Sequence, residues 1–371
     1  MTKQTSIITF ALLIAVISFT GLSCKKYLYE GPITSTYGDA FWVSQKAVEQ
    51  ASLAMYGQLR SSLRAAPSNN LGEASYFVNG DLPTGLFTLG NGDTFLKYSI
   101  TAAGGFKFTY IPYGADVLQN WSRFYKLIAQ SNLILQNVPV MPSALFSSDA
   151  IKNAYMGEAL FMRAYTYFYI TRIWGDPVYV SQSYNDVDYG NIPPLARSPE
   201  KMVLDSCIRD LRVAAGYLSY AGGNPSGSIR ANKGTVYALM AHIFQWQHNY
   251  DSTHFYSQKV INEGGYALET MQNYRNIWAG KASSENIFEL NMQYNANDPN
   301  FAQQNDWAEA RFSPLAAFVK GDLVDNRKAS CWIAPLGGLF DQTLFDTTRD
   351  SRYKSVFRRV AATAGDPAGY M

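Results

Sequence analysis

Two segments of the chain combine aromatic rings with amide and carboxylate side chains, a composition that suits the binding of carbohydrate. The first spans residues 72–98 and is rich in turn signals, and the second spans residues 291–312. Sugar C–H groups stack on flat apolar rings, while amides and carboxylates hydrogen-bond the sugar hydroxyls. Packing within the loop is the alternative role for each ring. The candidate ligand residues, in order of rank, are Trp307, Tyr294, Tyr76, Asn79, Asp81 and Phe301.

The sequence carries no motif that singles out a catalytic centre. It has no G-x-S-x-G, no phosphate loop and no H-E-x-x-H. His242, His248 and His254 are six residues apart, not the three or four that align metal ligands on one helical face. We therefore expect no metal, no cofactor and no enzymatic activity. A pair of carboxylates that hydrolyses glycosides remains an alternative, because the chain has 29 acidic residues.

The composition is that of a globular protein with a large core. The 371 residues are 47% hydrophobic and 16% charged, with a formal net charge of +2. A chain of this length can bury a sizeable core in one or two domains. No basic block suggests a nucleic-acid partner. The chain has 26 tyrosines among its aromatic residues, and most of the aromatic residues must lie in the core.

Helical periodicity and capping residues predict six helices, which must position the two candidate segments. The predicted helices run from Phe41 to Leu63, from a cap at Asp116 to Val138, from about Asp149 to Trp174, from Ser198 and Pro199 to Leu218, from Asn232 to about His248, and from Asp251 to Glu263.

The third predicted helix is apolar on nearly all sides, so we expect it to pack against several neighbours. Four charged residues lie within it or at its end, and buried charges are costly unless they are paired. We therefore expect partners for Glu158, Arg163, Arg172 and Asp176. Gly175 suits the left-handed conformation that ends a helix.

A weak internal repeat indicates a helical solenoid. Gly157 aligns with Gly234 and Ala164 with Ala241, at an offset of 77 residues. This offset is near two units of about 34 residues plus a longer loop, the period of tetratricopeptide repeats. The predicted fold class is mainly α, a tetratricopeptide-like helical repeat solenoid with an irregular, loop-rich region carrying a few short strands.

The N-terminus predicts a lipoprotein signal peptide. Lys3 precedes an apolar run, residues 7–19, that is too short to span a bilayer comfortably, and small residues lead to Cys24. Cleavage after residue 23 leaves Cys24 as the acylated residue that anchors the protein to a membrane. An ordinary secretory signal cleaved nearby is the alternative. Cys207 reads as a packed, inert thiol, and a disulfide between Cys207 and Cys331 stays open.

Several blocks, in order along the chain, resemble the SusD/RagB family. Residues 158–176, EALFMRAYTYFYITRIWGD, resemble the family's signature helix, and residues 231–268 resemble its K-G-x-x-x-A-L helix pair. The segment CKKYLYEGPITSTYGDAFW at 24–42 resembles the start of the mature family protein. ENIFELNMQY at 285–294 resembles a family strand, and TTRDSRYKSVF at 347–357 resembles a later family segment.

The resemblance implies a lipid-anchored, surface-exposed protein of the outer membrane that binds an oligosaccharide for a SusC-like TonB-dependent transporter. It also implies a signal peptide at 1–23 and a SusD-like domain at 24–371, with part of the C-terminal region missing if the chain is truncated. Within that domain we expect a scaffold at about 41–65 and 116–265 and a ligand region at about 66–115 and 266–371. The alternatives are a peptide-binding member of the same uptake class, a glycoside hydrolase, and a repeat scaffold that binds only proteins.

Overall fold

The computed structural model describes residues 40–64, 79, 87–89, 120–183, 194–221, 228–273, 277, 283–290 and 331–333. The chain divides into two units, residues 1–43 and residues 44–371. In the first unit the described residues form a turn, in which the Val43 N–H donates to the Phe41 carbonyl.

Six α-helices occupy the described part of the second unit, in the order that the sequence predicts. They are α1 (Gln45–Arg64), α2 (Ser122–Asn137), α3 (Asp149–Trp174), α4 (Glu200–Tyr217), α5 (Lys233–Trp246) and α6 (Tyr250–Glu263). Two 3₁₀ turns, Val138–Val140 and Ser143–Leu145, lie between α2 and α3. Strands β1 (Phe87–Leu89) and β2 (Cys331–Ile333) pair antiparallel, with Phe87 opposite Ile333. The mainly α fold class is confirmed.

Each helix packs against the next one along the chain, and α3 also contacts α1 and α5. Stacked helical hairpins produce this pattern, in which each helix contacts the next one along the chain. Helix α3 therefore has four helical neighbours, which confirms that it is packed on several sides. It is also buried over most of its length. None of the helices in the described ranges is both long enough and apolar enough to cross a membrane.

The two glycines of the predicted repeat occupy equivalent places. A Cβ on Gly157 of α3 would lie 2.8 Å from Cγ of Leu218, the residue that follows α4. A Cβ on Gly234 of α5 would collide with the ring of Tyr266, which follows α6. In both helix pairs the missing side chain lets the end of the second helix close onto the first. The structure thus gives a physical reason for the alignment of Gly157 with Gly234.

Two helix starts differ from the sequence prediction. Helix α1 begins at Gln45 instead of Phe41, because residues 41–43 belong to the turn of the first unit. Helix α2 begins at Ser122, whose N–H donates to Oδ1 of Asn120 at 2.8 Å. The predicted cap, Asp116, lies outside the described residues.

The N-terminus of α4 is capped by a residue that is distant in sequence. The sequence predicts Ser198 as its cap, but Oδ1 of Asp176 accepts the Glu200 N–H at 2.9 Å. The Ser198 N–H instead donates to the Pro177 carbonyl at 2.8 Å. Asp176, just past the end of α3, therefore satisfies a free donor at the start of α4 and ties the two helices together.

The predicted strand at 285–294 is wrong for the residues that the structure describes, 285–290, which form turns and bends. The carbonyl of Ile287 accepts hydrogen bonds from the side chains of Asn232 and Thr235 at 3.2 Å each. The Glu289 N–H donates to the Ser228 carbonyl at 2.8 Å. Side chains and a loop thus take backbone groups that a neighbouring strand would otherwise pair with.

A buried carboxylate on α3 organises the contact with α1. Glu158 is 5% exposed, and both of its oxygens accept hydrogen bonds from the Arg230 guanidinium at 2.8 Å. Ser52 of α1 donates to the same carboxylate at 2.6 Å, and Arg230 also donates to Glu49 at 2.7 Å. Burial opposes the charge on Arg230, but Glu158 and Glu49 outweigh it and raise the Arg230 pKa.

Residues 228–232, which we call the hub segment, fix other elements as well. The Ala231 N–H donates to the Tyr56 hydroxyl of α1 at 2.9 Å. The Asn232 side chain accepts from the Thr235 N–H at 3.1 Å and caps α5, as the sequence predicts. The hub segment therefore joins α1, α3, α5 and residues 287–289.

The second buried charge of α3, Arg163, joins α3 to α4 and α2. Its guanidinium makes a bidentate pair with Asp210 at 2.7 and 2.8 Å and donates to Oδ1 of Asn132 at 2.8 Å. Partners for Glu158, Arg163 and Asp176 are as expected. Arg172 differs from the other three, because it is exposed and its partner is the Phe168 ring at 4.4 Å, with no acidic partner in the described ranges.

Cys207 on α4 is a free, fully buried thiol, so it forms no disulfide with Cys331. Burial raises its pKa far above the ordinary value, which makes the thiol unreactive. The interpretation of Cys207 as a packed, inert thiol is confirmed.

We predict that Arg230→Met lowers the free energy of unfolding by about 3–5 kcal/mol, because it leaves the buried Glu158 carboxylate without its charged partner. The matched control, Lys201→Met, removes an exposed ion pair with Asp205 and should cost less than about 1 kcal/mol. Urea denaturation measures both. Equal losses in the two variants would show that the Glu158 contact is dispensable.

Candidate functional site

One of the six candidate ligand residues, Asn79, lies within the described part of the chain. The others, and the proposed lipidation residue Cys24, lie outside it. These are Trp307, Tyr294, Tyr76, Asp81 and Phe301.

Asn79 lies against Tyr169 of α3, close enough to affect the ionisation of the tyrosine. Tyr169 is 9% exposed, and Asn79 is half-buried. Neither Nδ2 of Asn79 nor the Tyr169 hydroxyl reaches a hydrogen-bond partner at acceptable geometry among the described residues. The contact between the two side chains lowers the Tyr169 pKa, but it falls short of full hydrogen-bond geometry, so each atom is at best weakly paired. Buried polar atoms are almost always satisfied, so a polar ligand at this place can supply the stronger bonds.

Burial raises the pKa of Tyr169 to about 12, and the neighbouring Tyr165 adds to the effect. Arg123, Asn79 and Arg172 act in the opposite direction but do not overcome it. The hydroxyl of Tyr169 is therefore protonated at neutral pH, where it can both donate and accept a hydrogen bond.

Tyr169 belongs to a group of rings at the start of α2 and the end of α3, which we call the aromatic cluster. Its members are Trp121, Phe124, Tyr165, Tyr169 and Trp174. The Phe124 ring centroid lies 5.0 Å from that of Tyr169 and 5.7 Å from that of Trp174. Trp121 meets Trp174 edge-on at 6.4 Å. Trp121 and Trp174 are half-buried, so part of each ring faces solvent.

Two arginines hold the exposed edge of the aromatic cluster. The Arg197 guanidinium lies 4.5 Å from the centroid of Trp121 and donates to the carbonyls of Trp174 and Asp176 at 3.2 and 3.1 Å. The Arg123 guanidinium lies 4.9 Å from the centroid of Phe124. Cation–π contacts of this kind fix the ring orientations, so the cluster is a preformed surface.

Helix ends explain why these rings meet. Tyr165 and Tyr169 are four residues apart on α3 and stack at 6.5 Å. Trp174 is the last residue of α3, and Gly175, with φ of 74°, ends the helix there as predicted. On α2, Trp121 is the cap residue and Phe124 lies one turn later on the buried face.

The site that emerges has flat apolar faces beside an unsatisfied amide and an unsatisfied hydroxyl. Such a combination suits a ligand with C–H faces and many hydroxyls. The sequence pattern places Tyr169 and Trp121 on apolar helix faces and so does not mark them as candidate ligand residues. The available signal was the position of Trp174 at the predicted end of α3, next to Gly175.

Residues 88–244 match the sequence model of a SusD-like family, which is described as starch-binding and associating with the outer membrane. The chain is 24% identical over 281 residues to SusD-like protein P25 of Formosa agariphila, covering 74% of this chain and 49% of the relative. It thus spans about half the length of the curated relatives that it matches over most of its own length.

Two solved structures share the fold. A SusD homologue from Bacteroides thetaiotaomicron superposes with a TM-score of 0.59 at 23% identity, covering 90% of this chain and 70% of that one. A SusD-like carbohydrate-binding protein from Bacteroides fragilis superposes with a TM-score of 0.53 at 21% identity, covering 67% and 47%. The described helices therefore follow the SusD-like fold.

We predict that Tyr169→Phe leaves the free energy of unfolding unchanged or raises it by up to about 1 kcal/mol, because the deleted hydroxyl has no partner at full hydrogen-bond geometry among the described residues. The control is Tyr167→Phe. The Tyr167 hydroxyl donates to the Val180 carbonyl at 2.9 Å and accepts from the Val180 N–H at 2.6 Å. Its loss should cost about 1–3 kcal/mol in urea denaturation. A comparable loss in both variants would show that Tyr169 is satisfied within the protein.

Proposed function

We propose that this chain, which matches a SusD-like family model over residues 88–244 and shares the SusD-like fold, binds an oligosaccharide at the cell surface and delivers it to a SusC-like TonB-dependent outer-membrane transporter. The observation that carries the binding role is the pair of unsatisfied polar atoms, on Asn79 and Tyr169, beside the aromatic cluster. The description of the family as starch-binding and the carbohydrate-binding relative from Bacteroides fragilis support a glycan as the ligand.

The rigid part of the site is the scaffold, and the loops complete it. In this proposal the aromatic cluster forms the floor, and Asn79 and Asp81 hydrogen-bond the sugar hydroxyls. Trp307, Tyr294, Tyr76 and Phe301 supply further stacking faces from the two loop segments. A preformed floor lowers the entropy that must be lost when the glycan binds.

The helical scaffold serves a second purpose in this proposal, as the face that docks on the transporter. Stacked helices present a rigid surface that does not depend on the ligand. The protein acts by capture and release and performs no chemistry on the glycan. Acylation of Cys24 tethers it to the outer membrane, so that captured glycan stays close to the transporter.

We predict that a neutral oligosaccharide from a glycan panel binds saturably in isothermal titration calorimetry. Asn79→Ala should weaken that binding about tenfold, or ~1.4 kcal/mol, and Trp307→Ala by at least as much, because each removes a hydrogen bond or a stacking face. Phe255→Ala is the control, since Phe255 is an exposed ring on α6 outside the proposed site. All variants should melt close to the parent.

The same titrations separate the alternatives. Saturable binding to a peptide panel, with no binding to glycans, would show that the ligand is a peptide and not a glycan. No binding to either panel would favour a scaffold that recognises only proteins. Release of reducing ends from a bound glycan during long incubation would show that the protein is a glycoside hydrolase.

We predict that Cys24→Ala moves the protein from the membrane fraction to the soluble fraction of expressing cells, because the thiol that carries the lipid is gone. Cys207→Ala is the matched control and should stay with the membranes, since that thiol is buried in the core. Continued membrane association of Cys24→Ala would refute the lipid anchor.

A further inference from the structure

An open cleft lies on the scaffold between the last turns of α3 and α5, and the proposed glycan site does not use it. Its volume is about 370 Å³, within the range of small-molecule sites. The lining residues are Phe168, Arg172, His242, Gln245, Trp246 and His248.

Aromatic rings and a guanidinium form one wall of the cleft. Arg172 lies over the face of Phe168 at 4.4 Å, and Trp246 meets the same ring edge-on at 6.3 Å. Trp246 is 43% exposed, an unusual exposure for such a large apolar side chain. Its orientation is fixed by a hydrogen bond from Nε1 to Oε1 of Glu200 at 2.6 Å.

Among the described residues, the guanidinium of Arg172 has no carboxylate within 4 Å, in contrast to Arg163 and Arg230. Glu200 on α4 accepts a hydrogen bond from Trp246. A guanidinium that has no acidic partner in the described ranges and lies beside an exposed ring matches a ligand that carries both a carboxylate and an apolar face.

The remaining lining groups can hydrogen-bond such a ligand. His242 is exposed, but desolvation of its ring and the charge of Arg172 lower its pKa, which favours the neutral ring with one donor and one acceptor. Gln245 adds an exposed amide. His248 is exposed and contacts the Tyr250 hydroxyl through Nδ1 at 3.2 Å.

The backbone at His248 adopts a conformation that is uncommon for residues other than glycine. Its φ is 58°, in the left-handed region, where the chain turns from α5 to α6. The Asn249 N–H donates to the Phe244 carbonyl and the Gln247 N–H to the Ile243 carbonyl. A residue in this position of a helix end is usually glycine or asparagine, because a larger side chain is strained there. A histidine held there at some cost in stability supports a role for its ring in the cleft.

We propose that this cleft binds an acidic sugar, with Arg172 holding the carboxylate, Trp246 contacting the apolar face of the ring, and His242, Gln245 and His248 bonding the hydroxyls. The inference rests on the proposed glycan-binding function and adds a second subsite that is selective for uronic acids. At the efficiency typical of small ligands, a free monosaccharide acid should bind with a Kd on the order of 1 mM.

Titration calorimetry of the full chain with glucuronate, galacturonate and glucose tests the proposal. We expect saturable binding of at least one uronate and none of glucose. Arg172→Gln should weaken uronate binding at least about tenfold, because it removes the charge-assisted bonds. Arg212→Gln, at an exposed arginine on α4 outside the cleft, is the matched control and should bind as the parent does.

A second variant separates binding from folding. His248→Gly relieves the left-handed strain, so its melting temperature should equal or exceed that of the parent while uronate binding weakens. The proposal is overturned if neither uronate binds when its concentration is about ten times the expected Kd. It is also overturned if glucose binds as tightly as the uronates. The same conclusion follows if Arg172→Gln and His248→Gly both bind uronate as the parent does. Neutral oligosaccharide binding that persists in Arg172→Gln would show that the proposed function holds independently of this cleft.

Discussion

The carboxylate of Glu158 is buried inside a helix bundle, and the structure around it is arranged to satisfy that charge. An unpaired buried carboxylate is so costly that the bundle closes only when Arg230 and Ser52 reach it. Since Arg230 comes from the hub segment, 72 residues further along the chain, its pairing also fixes the start of α5. Through Asn232 and Ser228 the hub segment then holds residues 287–289. One electrostatic requirement thus sets the positions of four separate parts of the chain.

The aromatic cluster and the cleft both lie where helices end. Inside α3 the rings are enclosed by neighbouring helices, but at its C-terminus Trp174 has lost one side of that enclosure. At the end of α5, Trp246 is exposed in the same way. Helix ends therefore supply rings that are held firmly on one side and open on the other. A rigid surface of this kind suits the binding of flexible, weakly apolar ligands such as glycans.

Much of the fold could be predicted from the sequence, because it depends on short-range patterns. The order of the six helices, the cap at Asn232, the glycine end at Gly175 and the burial of Cys207 all follow from neighbouring residues. The candidate site could be predicted from the sequence only in part. Asn79 stands out as an amide among turn signals, but its neighbour Tyr169 sits in an apolar stripe that reads as core. Period and composition cannot tell a satisfied buried hydroxyl from an unsatisfied one.

The sequence by itself determined which segments are helical, that α3 must be enclosed, and that Glu158 and Arg163 must find partners. These follow from the 3.6-residue period and from the cost of burying charge, both of which are local. Only the tertiary structure decided which partners they find, that Asp176 and not Ser198 caps α4, and that Arg172 remains exposed over Phe168. The pairings of Asp176 with Glu200 and of Arg230 with Glu49 join groups 24 and 181 residues apart, and helix packing chooses among many such pairings that are equally compatible with the sequence pattern.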